Sequence, residues 1–334
     1  MNTKQELIDA MNGQHDGMAP PALFSQTGTA SQMEACGCYW PEAFFDVDKL
    51  MELALQPSKL FGFATVRIPF DITCEAERMG CTLDGGDSMK QPAVTGSPYM
   101  TESITSPPEL MPVDEYITGG RLAMHLEAAE KLSKQYPDLF LTASMLDPIG
   151  VASFMVGFEQ FMMATFMEPD KTLEWVDKVS PYQNEYAKAL SEVCDNIFIL
   201  SGGSEEILPA EQFETFIGGN TRKLLSNTRG CFTTLHCCGI TDNILESLAG
   251  LGATAISVES WKDPEGIYER VKGKARLVGG VDPIGCLMSG TPKDVIDSAK
   301  KCSLIGFDVI MPECGVPPQT NNENLLALSK YRES

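Results

Sequence analysis

The sequence predicts an α/β protein built as a (β/α)8 TIM barrel, with an N-terminal extension and a long loop after the second strand. Three observations lead there. Short β-prone runs, apolar on both faces, alternate with helical segments, as buried parallel strands covered by helices do. Eight such runs occur. The chain of 334 residues also exceeds the about 250 residues of a typical barrel, and the surplus falls at the N-terminus and between Thr73 and Tyr116. A doubly wound open sheet fits the same alternation.

In chain order, "APPALFS" is the first candidate strand and "FATVRIPF" the second. The following "LDGGDSMKQPAVTGSPYMTESITSPPEL" is rich in Gly, Pro, Ser and Thr and reads as a long loop over one barrel face, where such loops are often functional. "DLFLTASML" is the third strand. The apolar "GVASFMVGFEQFMMATFM" is interrupted by Glu159 and Gln160, and reads as a buried amphipathic helix and not as a membrane span. The helix "KTLEWVDKVSPYQNEYAKALSEV" leads to the fourth strand, "DNIFILSGG". The last four units are the clearest. "CFTTLH" precedes a helix from Thr241 to Leu251, and "TAISVE" precedes "DPEGIYERVKG". "ARLVGGV" precedes "TPKDVIDSAKKCSL", and "FDVIMPE" precedes "NENLLALSKY". Their helices have N-cap candidates in Thr241, Asp263, Thr291 and Asn321 or Asn322. No repeat or internal boundary appears, so residues 1–334 are expected to form one domain.

A formal net charge of −21 argues against nucleic-acid and anionic-membrane partners, both of which need a basic face. The N-terminal "MNTKQELIDAMNGQHDG" shows no basic segment followed by an apolar core, which makes the cytoplasm the expected location. The 11 cysteines are odd in number and irregularly spaced, which argues against a disulfide framework. With 17 methionines they fit a reducing setting, although both residues also serve as core filling.

Barrel enzymes build their sites at the C-terminal ends of the strands. Four successive strand ends here carry His236 and Cys238, then Glu259, then Asp282, then Cys314. Side chains alternate along a strand, so within "LHCCG" His236 and Cys238 face one way and Cys237 the other. With Cys314 they form a Cys2His set, which suits zinc and leaves a fourth position open for catalysis or for Glu259. The same residues also suit buried thiols and a satisfied core histidine. Asp71, after the second strand, fits either a substrate or proton-transfer role or the N-cap of "CEAERMG". Arg67, within that strand, suits an anionic substrate group or a carboxylate partner. His125, in mid-helix, reads as structural.

On these residues the chain resembles the methylcobamide:coenzyme M methyltransferases of the uroporphyrinogen decarboxylase superfamily. The similarity is carried by "QTGTASQMEACGCYWPEAFFD", "ATVRIPFDITCEAERMGC", "SMLDPIGVASFMVGFEQFMM", "LHCCGITDNILESLAGLGATAISVE", "LVGGVDPIGCLMSGTPKDV" and "PECGVPPQTNNENLLAL". It implies a barrel with Zn2+ on His236, Cys238 and Cys314, and Glu259 as the fourth ligand while no thiol is bound. It implies methyl transfer from a methylcorrinoid, carried by a corrinoid protein, to the thiol of coenzyme M. Glu259 or Asp71 would take the thiol proton, and Arg67 and Asp282 would contact substrate. Other acceptors (tetrahydrofolate or another thiol) and a non-catalytic corrinoid- or metal-binding relative remain compatible. Two positions depart from the pattern: Cys237 stands where an aliphatic residue is expected, and Gly280 where a polar one is. The decarboxylase branch uses an N-terminal arginine-rich motif, and the matching "GCYWPEAFFD" has no arginine, which speaks against decarboxylation.

Overall fold

The computed structural model describes residues 2–205, 208–260 and 262–334. Among the described residues nine strands are present: β1 (Thr65–Ile68), β2 (Thr82–Leu83), β3 (Val94–Gly96), β4 (Phe140–Leu146), β5 (Asn196–Leu200), β6 (Phe232–Cys237), β7 (Ala255–Val258), β8 (Arg276–Val281) and β9 (Val309–Pro312). Seven of them form one sheet in the order β1-β4-β5-β6-β7-β8-β9, parallel throughout. Helices connect the neighbours, and the strands are buried along nearly their whole length. The sheet is curled and covered by helices, a TIM-barrel-like fold whose wall is not fully closed by strand pairing.

The seam lies at the first expected strand. Residues 20–23 run beside β9 through a parallel bridge between Pro21 and Ile310, with Ala22 N donating to Ile310 O at 2.9 Å and Ile310 N to Pro20 O at 3.0 Å. Toward β1 the contact is one hydrogen bond, from Leu23 N to Thr65 Oγ1 at 3.2 Å. Pro20 and Pro21 have no N–H, so this stave cannot sustain a ladder. An eighth stave is therefore present, but not as a regular strand.

The barrel interior is packed. Phe24, Phe140, Phe198, Val278, Val309 and Met311 cluster with Leu7, Ala10 and Met11 of the N-terminal helix Lys4–Met11, which plugs the end where the strands begin. That helix starts at a capping box between Thr3 and Glu6. The N-terminal surplus is thus a base for the barrel, and the opposite end stays free for chemistry.

Two expectations need correction. The stretch expected as one amphipathic helix is two, Pro148–Val156 and Phe158–Met167, bent by 107°. The bend falls at Gly157, whose φ of +99° is open to glycine and disfavoured for other residues. Among the described residues, no single helix is long and apolar enough to cross a membrane. The helix after β6 begins at Leu245 and not at Thr241, because Asn243 is drawn to the Glu205 carboxylate and holds a turn. The caps at Asp263, Thr291 and Asn321 are as expected. The long loop lies where the sequence predicts it. It contains the β2–β3 hairpin and is anchored by Trp175 Nε1 donating to Thr105 O at 2.7 Å. All eleven cysteines carry free thiols.

Candidate metal centre at the barrel mouth

β6 carries His236 near its end, and Cys238 follows immediately after the strand. Its alternation turns His236 and Cys238 to one side and Cys237 to the other. His236 Nε2 lies 2.9 Å from Cys238 Sγ, and Cys238 Sγ lies 3.4 Å from Cys314 Sγ. Cys314 arrives from beyond β9, 76 residues away in sequence. All three donor atoms lie within 4.8 Å of one another. Cys237 is fully buried, its Sγ is 3.8 Å from Cys238 O, and burial pushes its thiol up to about 12. Replacing Cys237 with alanine is expected to leave metal content unchanged, as elemental analysis would show.

The donor set fits a soft-to-borderline divalent ion. Tetrahedral zinc, with bonds of about 2.3 Å to sulfur and 2.0–2.1 Å to nitrogen, separates its ligands by about 3.5–3.8 Å. The His236–Cys238 and Cys238–Cys314 pairs here are closer, at 2.9 and 3.4 Å, so a small opening around Cys238 accommodates the ion. Electrostatics points the same way. The hydrogen bond from Cys238 holds the Cys314 sulfur far below the ordinary thiol range, with His236 adding to the effect, while the same contact pushes Cys238 far up. Two sulfurs sharing one proton are a poor pair alone and a good pair around a dication.

The other predicted residues lie around this triangle in different ways. Glu259 is exposed, and its Oε1 accepts from Gly239 N at 2.9 Å. It contributes to the charge felt by Cys238 but is not among the three clustered donors. A cavity of about 420 Å³ opens beside it, lined by Gly239, Ile240 and Thr241 on one wall and Asp263 and Ile267 on the other. Arg67 is buried on β1. It donates to Pro69 O and, from Nη2, to Ser144 Oγ at 2.7 Å, and its Nε has no partner. Among the described residues it makes no ion pair. Burial pulls it down to about 9, opposed by the charges of Asp71, Cys74 and Cys314, which places the cation within electrostatic reach of the metal-site sulfur.

Asp71 is buried in an ion pair with Arg121 Nη1 at 2.7 Å, and its Oδ1 accepts from Thr73 N at 2.9 Å and Thr73 Oγ1 at 2.7 Å. Thr73, to which it bonds, stands at the N-cap position of helix Cys74–Arg78, so Asp71 does not itself cap that helix. Asp282 is half-buried and caps the turn of helix Pro283–Met288, accepting from Ile284 N at 2.9 Å. Its contacts here are those of a cap. His125, one turn beyond Arg121, is buried with both ring nitrogens unpartnered, and burial pulls it down to about 3. The folded state keeps His125 neutral, whereas the unfolded chain protonates it below about 6.5. Stability is therefore lost as the pH falls from about 6.5 toward 3, by about 2 kcal/mol at pH 5. In His125→Leu, urea unfolding at pH 7 and pH 5 should show that loss reduced by about the same amount.

Ser257, Phe198 and Arg121 were not singled out from the sequence. His236 Nδ1 is 3.1 Å from Ser257 Oγ, and the imidazole stacks on Phe198 at 5.1 Å between centroids. Ser257 on β7 stands two residues before Glu259, which lies just past the strand's end, so alternation continued by one residue could have found it.

A curled parallel sheet with sulfur and nitrogen donors gathered at the ends of its strands defines a barrel protein with a candidate metal centre at its mouth. The uroporphyrinogen decarboxylase (URO-D) family profile matches residues 2–334, and the chain belongs to that family. The Methylcobamide:CoM methyltransferase MtbA of Methanosarcina acetivorans is 32% identical over 328 residues, covering 96% of this chain and 95% of the relative. The protein of the same name from Methanosarcina mazei is 33% identical, with the same coverage. A Methylated-thiol--coenzyme M methyltransferase of Methanosarcina mazei is 29% identical over 97% of this chain and 87% of its own. A solved methyltransferase from Methanosarcina mazei superposes with a TM-score of 0.92 at 30% identity, covering 100% of this chain and 99% of that one. With such relatives along its whole length, the chain is a methyltransferase.

Proposed function

We propose that the protein is a zinc-dependent enzyme of the cytoplasm that moves a methyl group from a methylated corrinoid, presented by a corrinoid protein, to the thiol of coenzyme M. The observation that carries this reading is the triangle of His236 Nε2, Cys238 Sγ and Cys314 Sγ at the mouth of the sheet. These three residues would hold Zn2+, whose contribution is to keep a substrate thiol as thiolate near neutral pH.

The chain's own groups supply the rest. Two cysteine thiolates and one neutral imidazole balance the charge of a dication, so an incoming substrate sulfur remains electron-rich. Glu259 stands beside Cys238 on the wall of the 420 Å³ cavity. With a metal held there, Glu259 would be the candidate further ligand in the absence of thiol, and its carboxylate would take the thiol proton when one enters. Asp71 is held by Arg121, so its part is electrostatic, keeping Arg67 charged. Arg67, a buried cation lacking an ion-pair partner among the described residues, anchors the sulfonate of coenzyme M. Asp282 holds the β8 loop through its cap, which frames the substrate side of the mouth. The substrate sulfur then attacks the methyl carbon in line with the carbon–cobalt bond. The bonding pair stays on cobalt, leaving Co(I) and methyl-coenzyme M.

The test is demethylation of methylcobalamin by the purified protein with coenzyme M, a thiol lacking a sulfonate, or tetrahydrofolate as acceptor. The expected result is turnover with coenzyme M that a chelator abolishes. Turnover with tetrahydrofolate alone, or none with any acceptor, would count against the proposal.

A further inference from the structure

We infer that Ser257, backed by Phe198, is a positioning residue that orients His236 and accepts its Nδ1–H, leaving Nε2 free for a metal; the inference rests on the metal reading above. A neutral imidazole carries its proton on one nitrogen only. In this site the two nitrogens face different neighbours. Nε2 looks toward the sulfurs, 2.9 Å from Cys238 Sγ, while Nδ1 lies 3.1 Å from Ser257 Oγ. Ligation through Nε2 needs its lone pair free, so the proton must sit on Nδ1 and be donated to Ser257.

The fold makes this contact hard to replace. Ser257 on β7 is the register partner of His236 on β6. Ser257 is fully buried and His236 is 1% exposed, so bulk water cannot take over the acceptor role. On the β5 side, Phe198 stacks on the ring with 26° between planes, which restrains the imidazole from swinging away from Ser257. Metal-binding histidines commonly donate their second N–H to a carboxylate or carbonyl, which raises ligand basicity. A hydroxyl can accept this N–H without adding negative charge. The ligand set then stays matched to a dication, and the surplus negative charge is left for the substrate sulfur.

The test uses Ser257→Thr and Ser257→Val, which are nearly the same size and differ in the hydroxyl. In the metal-free protein, 15N NMR of the histidine ring reads the tautomer directly. The wild type and Ser257→Thr should show the Nδ1–H form, and Ser257→Val a substantial Nε2–H fraction. Zinc affinity, measured by competition with a chromophoric chelator, should fall about 10–100-fold in Ser257→Val and be largely retained in Ser257→Thr. The wild-type tautomer together with wild-type affinity in Ser257→Val would overturn the inference. A wild-type protein that binds no zinc would instead overturn the metal reading, and the tautomer in metal-free protein would still decide the role of Ser257. Thermal unfolding of the metal-free variants separates a local effect from a loss of fold.

Discussion

Cys238→Ala and Cys314→Ala should each yield a folded protein with far less bound zinc and less than about 1% of the wild-type methyl-transfer rate, since either change removes one of only three protein donors. Zinc content by elemental analysis should fall from one per chain toward zero. The fold should survive because Cys238 is exposed, Cys314 is half-buried, and both lie outside the packed interior. The two sulfurs are 3.4 Å apart, and losing either leaves a His-Cys pair too weak to hold a metal against chelation. The two variants should therefore be almost equally inactive, and the double variant no worse, because residues that act as a unit are not additive. Full zinc and full activity in either variant would remove the basis for the proposed function.

Arg67→Leu should raise KM for coenzyme M by about 30-fold or more, corresponding to at least about 2 kcal/mol for truncating one partner of a buried charge pair. Turnover of an alkyl thiol lacking a sulfonate should change little. That contrast separates anchoring from general damage. Stability should tolerate the change: Arg67 makes no ion pair among the described residues and its Nε is unpartnered, so an apolar replacement removes a buried charge and strands no carboxylate bonded to it. Zinc content should stay at one per chain. An equal loss with both acceptors would assign Arg67 to holding Pro69 and Ser144 in place and not to binding sulfonate.

What could be read from the sequence follows from how local each signal is. β4 to β9 announce themselves as apolar runs because a parallel strand covered on both faces leaves little room for polar residues. The division of labour within "LHCCG" was readable because strand alternation is a geometric rule, and the buried Cys237 facing away from Cys238 obeys it. The stave at Pro20 and Pro21 was expected as a strand from its apolar residues, whereas its two missing N–H groups decide the outcome. The break at Gly157 carried a visible glycine, but helical periodicity alone does not say where a helix turns by 107°. The fate of Asp71 was not local at all. Its partner Arg121 is 50 residues away on the next long helix, and only packing brings them to 2.7 Å. Glu259 lies between these cases: its strand end was correctly placed, while its hydrogen bond to Gly239 and its distance from the donor triangle depend on loop geometry.

The most direct test of the central claim is X-ray absorption at the zinc edge of the purified protein, with and without coenzyme M. The expected spectrum without thiol shows two sulfurs at about 2.3 Å and nitrogen or oxygen ligands at about 2.0–2.2 Å. Adding coenzyme M should raise the sulfur count from two to three as the substrate thiolate displaces the Glu259 carboxylate. A sulfur count that stays at two, or zinc bound through nitrogen and oxygen alone, would contradict the account.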